Sequence, residues 1–412
     1  MSAAPLDEHG GPVRALALSA DGTRMASGGF DYSVIVWDAV TGTMADRHTA
    51  HEAPVSAIAQ DSLGHVWSGD QAGDVVLWST EGLLSAPPRA DFSHRITQIV
   101  ASGDRRLIAA ASWDGRVMLW GADPLVRMAD FQAPAPITSL NFTASETLIA
   151  AARDGQGFVL HQDDGGLAVA HRFETGGLGI TAIAATADGA ALLTAHVDGG
   201  LRLWSLPDGS ALAERQVERT PLLAVEISDD GTQAITGGGE GYVQLWNLEP
   251  LEVVRSWKAH ADLVFQARFN SEGHVYTAGG DGMIRHWDTD TGELFLGPPL
   301  ASSTRENQAG PRDRGETVFA KCAACHSVQA DDRARAGPHL EGLFGRKAGS
   351  VAGYPYSDAL KASDIVWTEE TVAELFARGP HLVTPGSKMP LQRMPDPDDR
   401  DALIAYLKKV TR

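Results

Sequence analysis

Tryptophan recurs at an almost constant spacing through the first three hundred residues of this chain. Each recurrence ends a short hydrophobic run, as in Val-Ile-Val-Trp37, and one run ends in histidine at the same place. The steps are 41 to 43 residues, and the seven positions are Trp37, Trp78, Trp120, His161, Trp204, Trp246 and Trp287. A fixed period of this length indicates a repeated unit that buries its hydrophobic face against its neighbours. We therefore expect one fold built from seven similar units.

Polar residues recur with the same period. An acid lies six residues before the tryptophan in five repeats: Asp31, Asp114, Asp198, Glu240 and Asp281. Hydroxyl residues precede it at Ser27, Ser68, Ser112, Thr194, Thr236 and Thr277, and histidines open three repeats at His9, His51 and His260. This pattern resembles the WD-repeat family, which implies an all-β, seven-bladed propeller with four strands per blade. In that family such residues form a hydrogen-bonded set inside each blade, so we assign the three histidines a structural role.

Two repeats depart from the pattern, and the ends of the array leave one question open. The second repeat has Ala72 where the acid is expected, and the fourth has Asp154 displaced by one position. We draw no function from either departure. The first strand is expected to begin near Val13, with little chain before it to supply a closing strand. Both a ring closed without strand exchange and a ring closed by a preceding segment fit this sequence.

The resemblance also implies a docking surface. In WD-repeat proteins the residue just before the acid lies on one rim, where partners often bind. Here these residues include Phe30, Trp113 and Val197. Exposed aromatic side chains are effective interface anchors, so we take Phe30 and Trp113 as candidate docking residues. The alternative is that both are partly buried turn residues.

The only two cysteines of the chain lie in the segment Cys322-Ala-Ala-Cys325-His326. A Cys-x-x-Cys-His sequence is the attachment signal of a c-type haem, with the histidine as an axial ligand of the iron. A redox disulfide and half of a zinc site are the alternatives. Zinc would need further ligands, but His339 and His381 are far apart in the sequence. We therefore expect one haem c, bound through Cys322 and Cys325.

The segment that follows resembles the class I c-type cytochromes over about one hundred residues. The matching stretches come in the family's order and comprise residues 322–326, 337–349, 353–360, 367–370, 385–390 and 402–409. The resemblance implies an all-α domain with His326 and Met389 as iron ligands. It implies that Pro338 accepts a hydrogen bond from His326, and that Arg346, Tyr356 and Trp367 contact the haem propionates.

Alternatives and departures remain within this match. Met394 is the alternative sulfur ligand, although it lacks the Pro-Gly-Ser-Lys sequence that precedes Met389, and His339 and His381 are weaker candidates. Phe376 stands where the family has a tyrosine near the haem, and Leu360 stands where it has an asparagine. Both changes remove a hydrogen-bonding group from the haem surroundings.

Composition divides the chain in the same way. Residues 297–314 lack periodicity and are rich in Pro, Gly and polar groups. We expect a propeller over 1–300, a linker over 301–314 and a cytochrome domain over 315–412. From Arg305 onward 16 basic and 15 acidic residues nearly cancel, so the net charge of −19 belongs to the preceding residues, which hold 18 basic and 38 acidic side chains. An acidic propeller argues against nucleic acid as a partner.

No apolar run approaches the ~20 residues that a membrane-spanning helix needs, so we expect no membrane span. The N-terminus, Met-Ser-Ala-Ala-Pro, lacks the basic start and apolar stretch of a signal peptide. Because haem c is normally attached outside the cytoplasm, we expect a bacterial periplasmic protein whose export signal is absent from this sequence.

These features predict an electron-transfer protein. A haem iron with both axial positions filled by the protein has no site for a substrate, so it carries electrons. The propeller is then a scaffold on which a redox partner docks. The alternative is an oxidoreductase whose propeller channel holds a substrate or second cofactor, with the cytochrome removing electrons. A sensor that reports redox state to a bound partner is a third possibility.

Overall fold

The computed structural model describes most of the chain. The described residues are 6–79, 82–85, 91–163, 166–297, 314–323, 325–330, 337–354, 356–385, 387, 389, 394 and 396–411. The chain forms two compact units, Met1–Leu300 and Ala301–Arg412. Of the predicted linker over 301–314, only Arg314 lies within the described residues, and it begins a helix.

The first unit is a seven-bladed propeller, as predicted. Each blade is an antiparallel sheet of four consecutive strands. Blades one to three comprise β1 (Val13–Leu18), β2 (Arg24–Gly29), β3 (Val34–Asp38), β4 (Met44–His48); β5 (Val55–Gln60), β6 (Val66–Asp70), β7 (Val75–Ser79), β8 (Gly82–Ser85); β9 (Ile96–Ala101), β10 (Leu107–Ser112), β11 (Arg116–Ala122) and β12 (Leu125–Gln132). Blades four and five comprise β13 (Ile137–Phe142), β14 (Leu148–Ala152), β15 (Gln156–Asp163), β16 (Gly166–Glu174); β17 (Ile180–Ala185), β18 (Ala191–His196), β19 (Gly200–Ser205) and β20 (Ala211–Gln216). Blades six and seven comprise β21 (Leu222–Ile227), β22 (Gln233–Gly238), β23 (Tyr242–Asn247), β24 (Glu252–Lys258); β25 (Val264–Phe269), β26 (Val275–Gly279), β27 (Ile284–Trp287) and β28 (Leu294–Leu296).

The recurring polar residues stabilise the blades from within. In blade one the indole N–H of Trp37 donates to Ser27 Oγ over 2.7 Å, and that hydroxyl lies 2.7 Å from His9 Nε2. His9 Nδ1 in turn lies 3.0 Å from the Asp31 carboxylate. All four side chains are buried. Because an unpaired polar group in such a place is costly, each member of the set depends on the others. Blade seven repeats the arrangement with His260, Thr277, Asp281 and Trp287.

Blade two supplies its acid from an unexpected position. Ala72 occupies the place six residues before Trp78, as the sequence showed, but the carboxylate of Asp70 takes over the role. Asp70 Oδ2 lies 3.0 Å from His51 Nδ1, and His51 Nε2 lies 2.7 Å from Ser68 Oγ. The blade therefore keeps a complete hydrogen-bonded set, with its acid at the end of β6.

Within the described residues, which begin at Leu6, no strand is exchanged between the first and last blades. Blade seven takes all four strands from β25 to β28, and β1 packs beside β25. The N-terminal segment adds one link, because the N–H of Ile284 donates to the carbonyl of Leu6 over 3.1 Å. The hydroxyl of Tyr276 adds another by donating to the carbonyl of Ala39 over 2.7 Å. Burial of Leu6 among residues of blades one and seven secures this seam.

Five helices form the described part of the second unit. They are α1 (Arg314–Ala323), α2 (Asp358–Lys361), α3 (Glu369–Arg378), α4 (Pro380–Val383) and α5 (Pro397–Val410). No helix in the described ranges is long and apolar enough to cross a membrane. Thr368 and Asp396 cap α3 and α5 with side-chain oxygens that accept backbone N–H groups.

The crossing of α1 over α5 is the tightest contact of this unit. A Cβ on Gly315 would lie only 2.1 Å from the carbonyl oxygen of Ala402, so only glycine lets the two helices approach this closely. Beside the crossing, the rings of Phe319 and Tyr406 pack with centroids 5.3 Å apart. Arg314 also binds the carboxylates of Asp396 and Asp399 at the start of α5. The crossing holds the end of α1, and with it the cysteine segment, in place.

Candidate haem-attachment site

The end of α1 brings the two thiols and the imidazole into one turn. The N–H groups of Cys325 and His326 both donate to the carbonyl of Cys322, over 3.0 and 2.9 Å. The Cys322 side chain is buried, and Cys325 and His326 are half-buried. Neither of these two cysteines forms a disulfide. This turn presents two thiols and one imidazole together, as attachment to the two vinyl groups of one haem requires.

A hydrogen bond to the Pro338 carbonyl fixes the His326 ring. His326 Nδ1 lies 2.7 Å from Pro338 O, so the Nδ1–H donates and Nε2 is the nitrogen left to bind a metal. Such a bond sets the tautomer and orientation of a metal-binding histidine and raises its basicity. The neighbouring N–H of Gly337 donates to the Cys325 carbonyl over 2.9 Å and ties the two segments together.

Gly337 is a site residue that sequence reasoning missed. A Cβ at this position would lie 2.3 Å from His326 Cε1 and 2.6 Å from both ring nitrogens. The imidazole therefore packs directly on the glycine backbone. The sequence signal was present in Gly-Pro-His at 337–339, where a glycine precedes the acceptor Pro338, but only the folded chain shows what it contacts.

Gly337→Ala is expected to displace the His326 ring. Overpacking of this kind lowers the free energy of unfolding by about 1–3 kcal/mol, and it should also move the midpoint potential if the ring supplies an axial nitrogen, as the sequence predicts. Thermal unfolding and a potentiometric titration of the haem-loaded chain measure the two effects.

Gly342→Ala is the matched control, since a Cβ there meets open space although its φ is +64°. That variant should lower stability by ~1–2 kcal/mol through backbone strain and leave the potential unchanged. Equal shifts of potential in the two variants would contradict the assigned contact.

Two methionines lie on the same apolar cluster. The cluster consists of Phe319, Cys322, Leu343, Val372, Leu375, Phe376, Leu403, Ile404 and Leu407. Met389 and Met394 are both partly buried against it. The Met389 N–H donates to Ser387 Oγ over 3.1 Å, whereas the Met394 N–H donates to the Phe376 carbonyl over 2.8 Å at the end of α3. Burial alone does not separate the two candidate thioethers.

Two of the three predicted propionate contacts, Arg346 and Trp367, lie on paired loop segments, and Tyr356 interacts electrostatically with Arg346. The N–H of Gly345 donates to the Trp367 carbonyl over 2.8 Å, and the N–H of Trp367 donates to the Arg346 carbonyl over 2.9 Å. The Arg346 guanidinium donates to the carbonyls of Glu341 and His339, over 2.6 and 2.8 Å. Partial burial lowers the pKa of Arg346 and raises the pKa of Tyr356. These residues offer N–H and O–H donors in a partly desolvated place, which suits a carboxylate.

The two alternative histidine ligands, His339 and His381, lie on different segments of the second unit. Nδ1 of His339 is buried without a hydrogen-bond partner among the described residues, and so is Oγ of Ser327. His381 lies in α4, and its side chain falls outside the described part of the chain. Thus Cys322 and the two thioethers lie on one apolar cluster, and Cys325 and His326 belong to the same turn as Cys322. The residues present fit a covalently bound haem.

Comparison with known proteins decides the family. A family model described as "Cytochrome c" matches residues 313–411. A cytochrome c of Cochliobolus lunatus is 41% identical over 106 residues, which are 26% of this chain and 97% of that protein. A cytochrome c of Arabidopsis thaliana is 41% identical over 104 residues (25% of this chain, 92% of that protein). The chain belongs to the cytochrome c family. A cytochrome c2 of Blastochloris viridis is also similar, at 42% identity over 110 residues, or 27% of this chain and 86% of that protein.

The relatives match only the cytochrome domain. Haem c, attached covalently in the region of Cys322 and Cys325, is accordingly the cofactor of that domain. The propeller matches a second family model, described as "WD domain, G-beta repeat", at residues 2–38, 88–121 and 251–288. The predicted combination of WD repeats and a cytochrome c domain is confirmed.

The predicted docking residues lie at equivalent places on one rim of the propeller. The N–H of Phe30 donates to the Pro12 carbonyl and that of Trp113 to the Arg95 carbonyl, over 2.9 and 3.0 Å. Both side chains are half-buried, while Val197 at the same position in blade five is exposed. The Arg95 guanidinium lies 3.9 Å from the centroid of the Trp113 ring and covers part of it. Arg153 occupies this position in blade four, and the sequence analysis did not single it out.

Proposed function

We propose that this protein is a periplasmic electron carrier in which the cytochrome domain transfers electrons and the propeller docks a redox partner. The observation that carries the proposal is the 2.7 Å hydrogen bond from His326 Nδ1 to Pro338 O, beside two thiols in one turn. It prepares Nε2 as a strong axial nitrogen ligand. When bound, haem c supplies one-electron chemistry between ferrous and ferric iron.

Each residue of the site has a distinct task in this proposal. Cys322 and Cys325 would hold haem c through thioether bonds, and His326 and Met389 would bind its iron. Pro338 orients His326. Arg346, Tyr356 and Trp367 satisfy the propionates, and the cluster around Phe319 excludes water. With both axial positions filled by side chains, the iron has no open place for a small substrate.

The proposal includes the domain plan predicted from the sequence. The propeller spans 1–300, a linker spans 301–314 and an all-α cytochrome domain spans 315–412. The helices α1 to α5 support the all-α assignment. A tether of this kind raises the effective concentration of the cytochrome near any protein that the propeller holds. Localisation in the periplasm, where haem c attachment takes place, would be tested by finding the haem-stained chain in that fraction of cells.

The proposed docking on the rim can be tested directly by a capture experiment. Full-length, haem-loaded protein would be immobilised to capture its electron donor or acceptor, identified by its ability to change the haem redox state. Trp113→Ala and Phe30→Ala are each expected to reduce the captured amount several-fold, because truncating an anchor residue typically costs more than about 1 kcal/mol of binding.

Leu212→Ala is the matched control. Leu212 is an exposed apolar residue on β20, away from the rim, and its truncation should leave capture unchanged. Equal capture by all four proteins would overturn the docking assignment. Exchange of electrons with a small organic substrate in place of a protein would overturn the carrier assignment.

A further inference from the structure

Three arginines without acidic partners gather at one end of the propeller ring. Arg14 is the second residue of β1, Arg95 immediately precedes β9 and Arg153 immediately follows β14. In each blade the first strand begins where the second ends, as the pairs Val13–Gly29, Ile96–Ser112 and Ile137–Ala152 show. The three residues therefore share the rim that also carries Trp113.

The Arg14 guanidinium lies in the mouth of the central channel. Its central carbon is 5.0 Å from the centroid of the Phe265 ring, which belongs to β25 in blade seven. It is also close enough to Arg95, at the start of blade three, for the two charges to repel each other. Blades one and two separate blades seven and three around the ring. A group that meets both must therefore extend inside the ring, over the channel.

Trp113 organises the other two charges. The guanidinium carbons of Arg95 and Arg153 lie 3.9 and 5.1 Å from the centroid of the Trp113 ring. Guanidinium groups are attracted to the face of an indole, so this ring holds two like charges near each other. The half-buried Trp113 thus has a second use besides docking, which is to position Arg95 and Arg153.

These three charges lack the compensation that other arginines of the propeller have. Six other propeller arginines with at most a quarter of their side-chain surface exposed pair with carboxylates: Arg47, Arg116, Arg127, Arg202, Arg268 and Arg285. Within the described ranges no ion pair joins Arg14, Arg95 or Arg153 to an acid, although the propeller is strongly acidic. Burial and then repulsion from Arg95 lower the pKa of Arg14 to about 10. Burial and then Arg153 lower the pKa of Arg95.

A buried hydroxyl without a described partner lies at the same strand position as Arg14, in another blade. The second residues of the first strands in blades two to four are Ser56, Thr97 and Thr138, and each hydroxyl donates to a backbone carbonyl. Thr181 holds this position in blade five, and its buried Oγ1 has no hydrogen-bond partner among the described residues. The Thr181 hydroxyl, unpaired within the described residues, thus lies at the strand level of the three guanidinium groups, which pair with no acid in the described ranges.

We propose that the mouth of the propeller channel is a binding site for a carboxylate group, held by Arg14 and Arg95 and supported by Arg153. The planar guanidinium fork matches a carboxylate with two parallel hydrogen bonds. A bound anion relieves the repulsion among the three cations and compensates their lost hydration. The carboxylate belongs either to a small di- or tricarboxylate or to an acidic side chain of a bound polypeptide. This site does not involve the haem.

Binding would be measured on the full-length, haem-loaded protein with three probes at equal ionic strength. The probes are citrate, a short peptide of alternating glutamate and glycine, and chloride. We expect saturable heat of binding, and a rise in the unfolding temperature of the propeller, with citrate or the peptide and not with chloride. Binding of citrate alone would assign the site to a small molecule, and binding of the peptide alone to a polypeptide side chain.

Variants separate this site from general charge effects. Arg14→Gln is expected to weaken binding at least tenfold and, without ligand, to raise the unfolding temperature because a repulsive charge is removed. Arg153→Gln is the second variant and should weaken binding by a smaller factor. Arg106→Gln is the control, since this exposed arginine lies between β9 and β10 at the opposite end of the ring. No binding of either carboxylate probe, or equal binding by all variants, would overturn the proposal.

Discussion

Replacing both Cys322 and Cys325 by serine is expected to abolish covalent haem attachment and to leave the propeller folded. The chain has no other cysteine, so no other side chain can form a thioether. The propeller depends on its own hydrogen-bonded sets and hydrophobic seams, which lie outside the cytochrome domain. Haem staining of the denatured chain measures attachment, and the unfolding transition of the propeller measures its integrity.

Each single cysteine substitution should reduce covalent haem attachment less than the double substitution does. Cys322→Ser and Cys325→Ser should each leave one thioether, so haem stays with the denatured chain at a lower yield and with an altered spectrum. The unsubstituted protein and Gly342→Ala serve as references for expression and folding. Haem that remained attached to the doubly substituted, denatured chain would contradict the assignment of both thiols.

Met389→Ala is expected to open the iron to external ligands and lower the reduction potential. A thioether stabilises the ferrous state, so its loss should lower the potential by on the order of 0.2 V, within the ~0.8 V range that axial ligands span. The long-wavelength absorption of a sulfur–ferric iron bond should disappear, and carbon monoxide should bind the reduced protein rapidly. Potentiometry and absorption spectra measure these changes.

Met394→Ala is the matched control for this prediction. The two methionines pack against the same apolar cluster, so both substitutions remove similar buried volume. The Met394 variant should lose less stability than the ~2–5 kcal/mol of a fully buried methionine, since Met394 is only partly buried, and it should keep the sulfur–iron absorption. If Met394→Ala removes that absorption and Met389→Ala does not, Met394 is the ligand.

Periodicity was enough to predict the propeller because each blade repeats one local pattern. Trp37 and its six counterparts mark the third strands, and the steps between them require seven blades. The same regularity misled the assignment of the acid in blade two. The carboxylate of Asp70 contacts His51 although it lies two residues before the position where the acid was expected. A fixed spacing in the sequence therefore does not identify every acid that can occupy this place in a blade.

The ring closure and the channel mouth depend on contacts between distant parts of the chain. The bond from Ile284 to Leu6 joins the two ends of the propeller, and no local pattern announces it. Arg14, Arg95 and Arg153 have little in common in the sequence. They meet because antiparallel strands of three different blades begin or end at one rim. Such groupings follow only from the folded ring.

The cytochrome site was more predictable, since its residues come in a fixed order within one short domain. The hydrogen bond between His326 and Pro338 agrees with what the resemblance implied. The contact of Gly337 with the imidazole could not be read from the sequence, because it joins two residues that are eleven positions apart in the chain. The identity of the sulfur ligand depends on bonding to the iron and stays a prediction.

The most direct test of the electron-carrier account is a spectroscopic redox titration of the full-length, haem-loaded protein. We expect one haem per chain, a single reversible one-electron transition, and spectral changes confined to the haem bands. A second chromophore, or a transition that takes more than one electron per chain, would contradict the account and place a further cofactor in the protein.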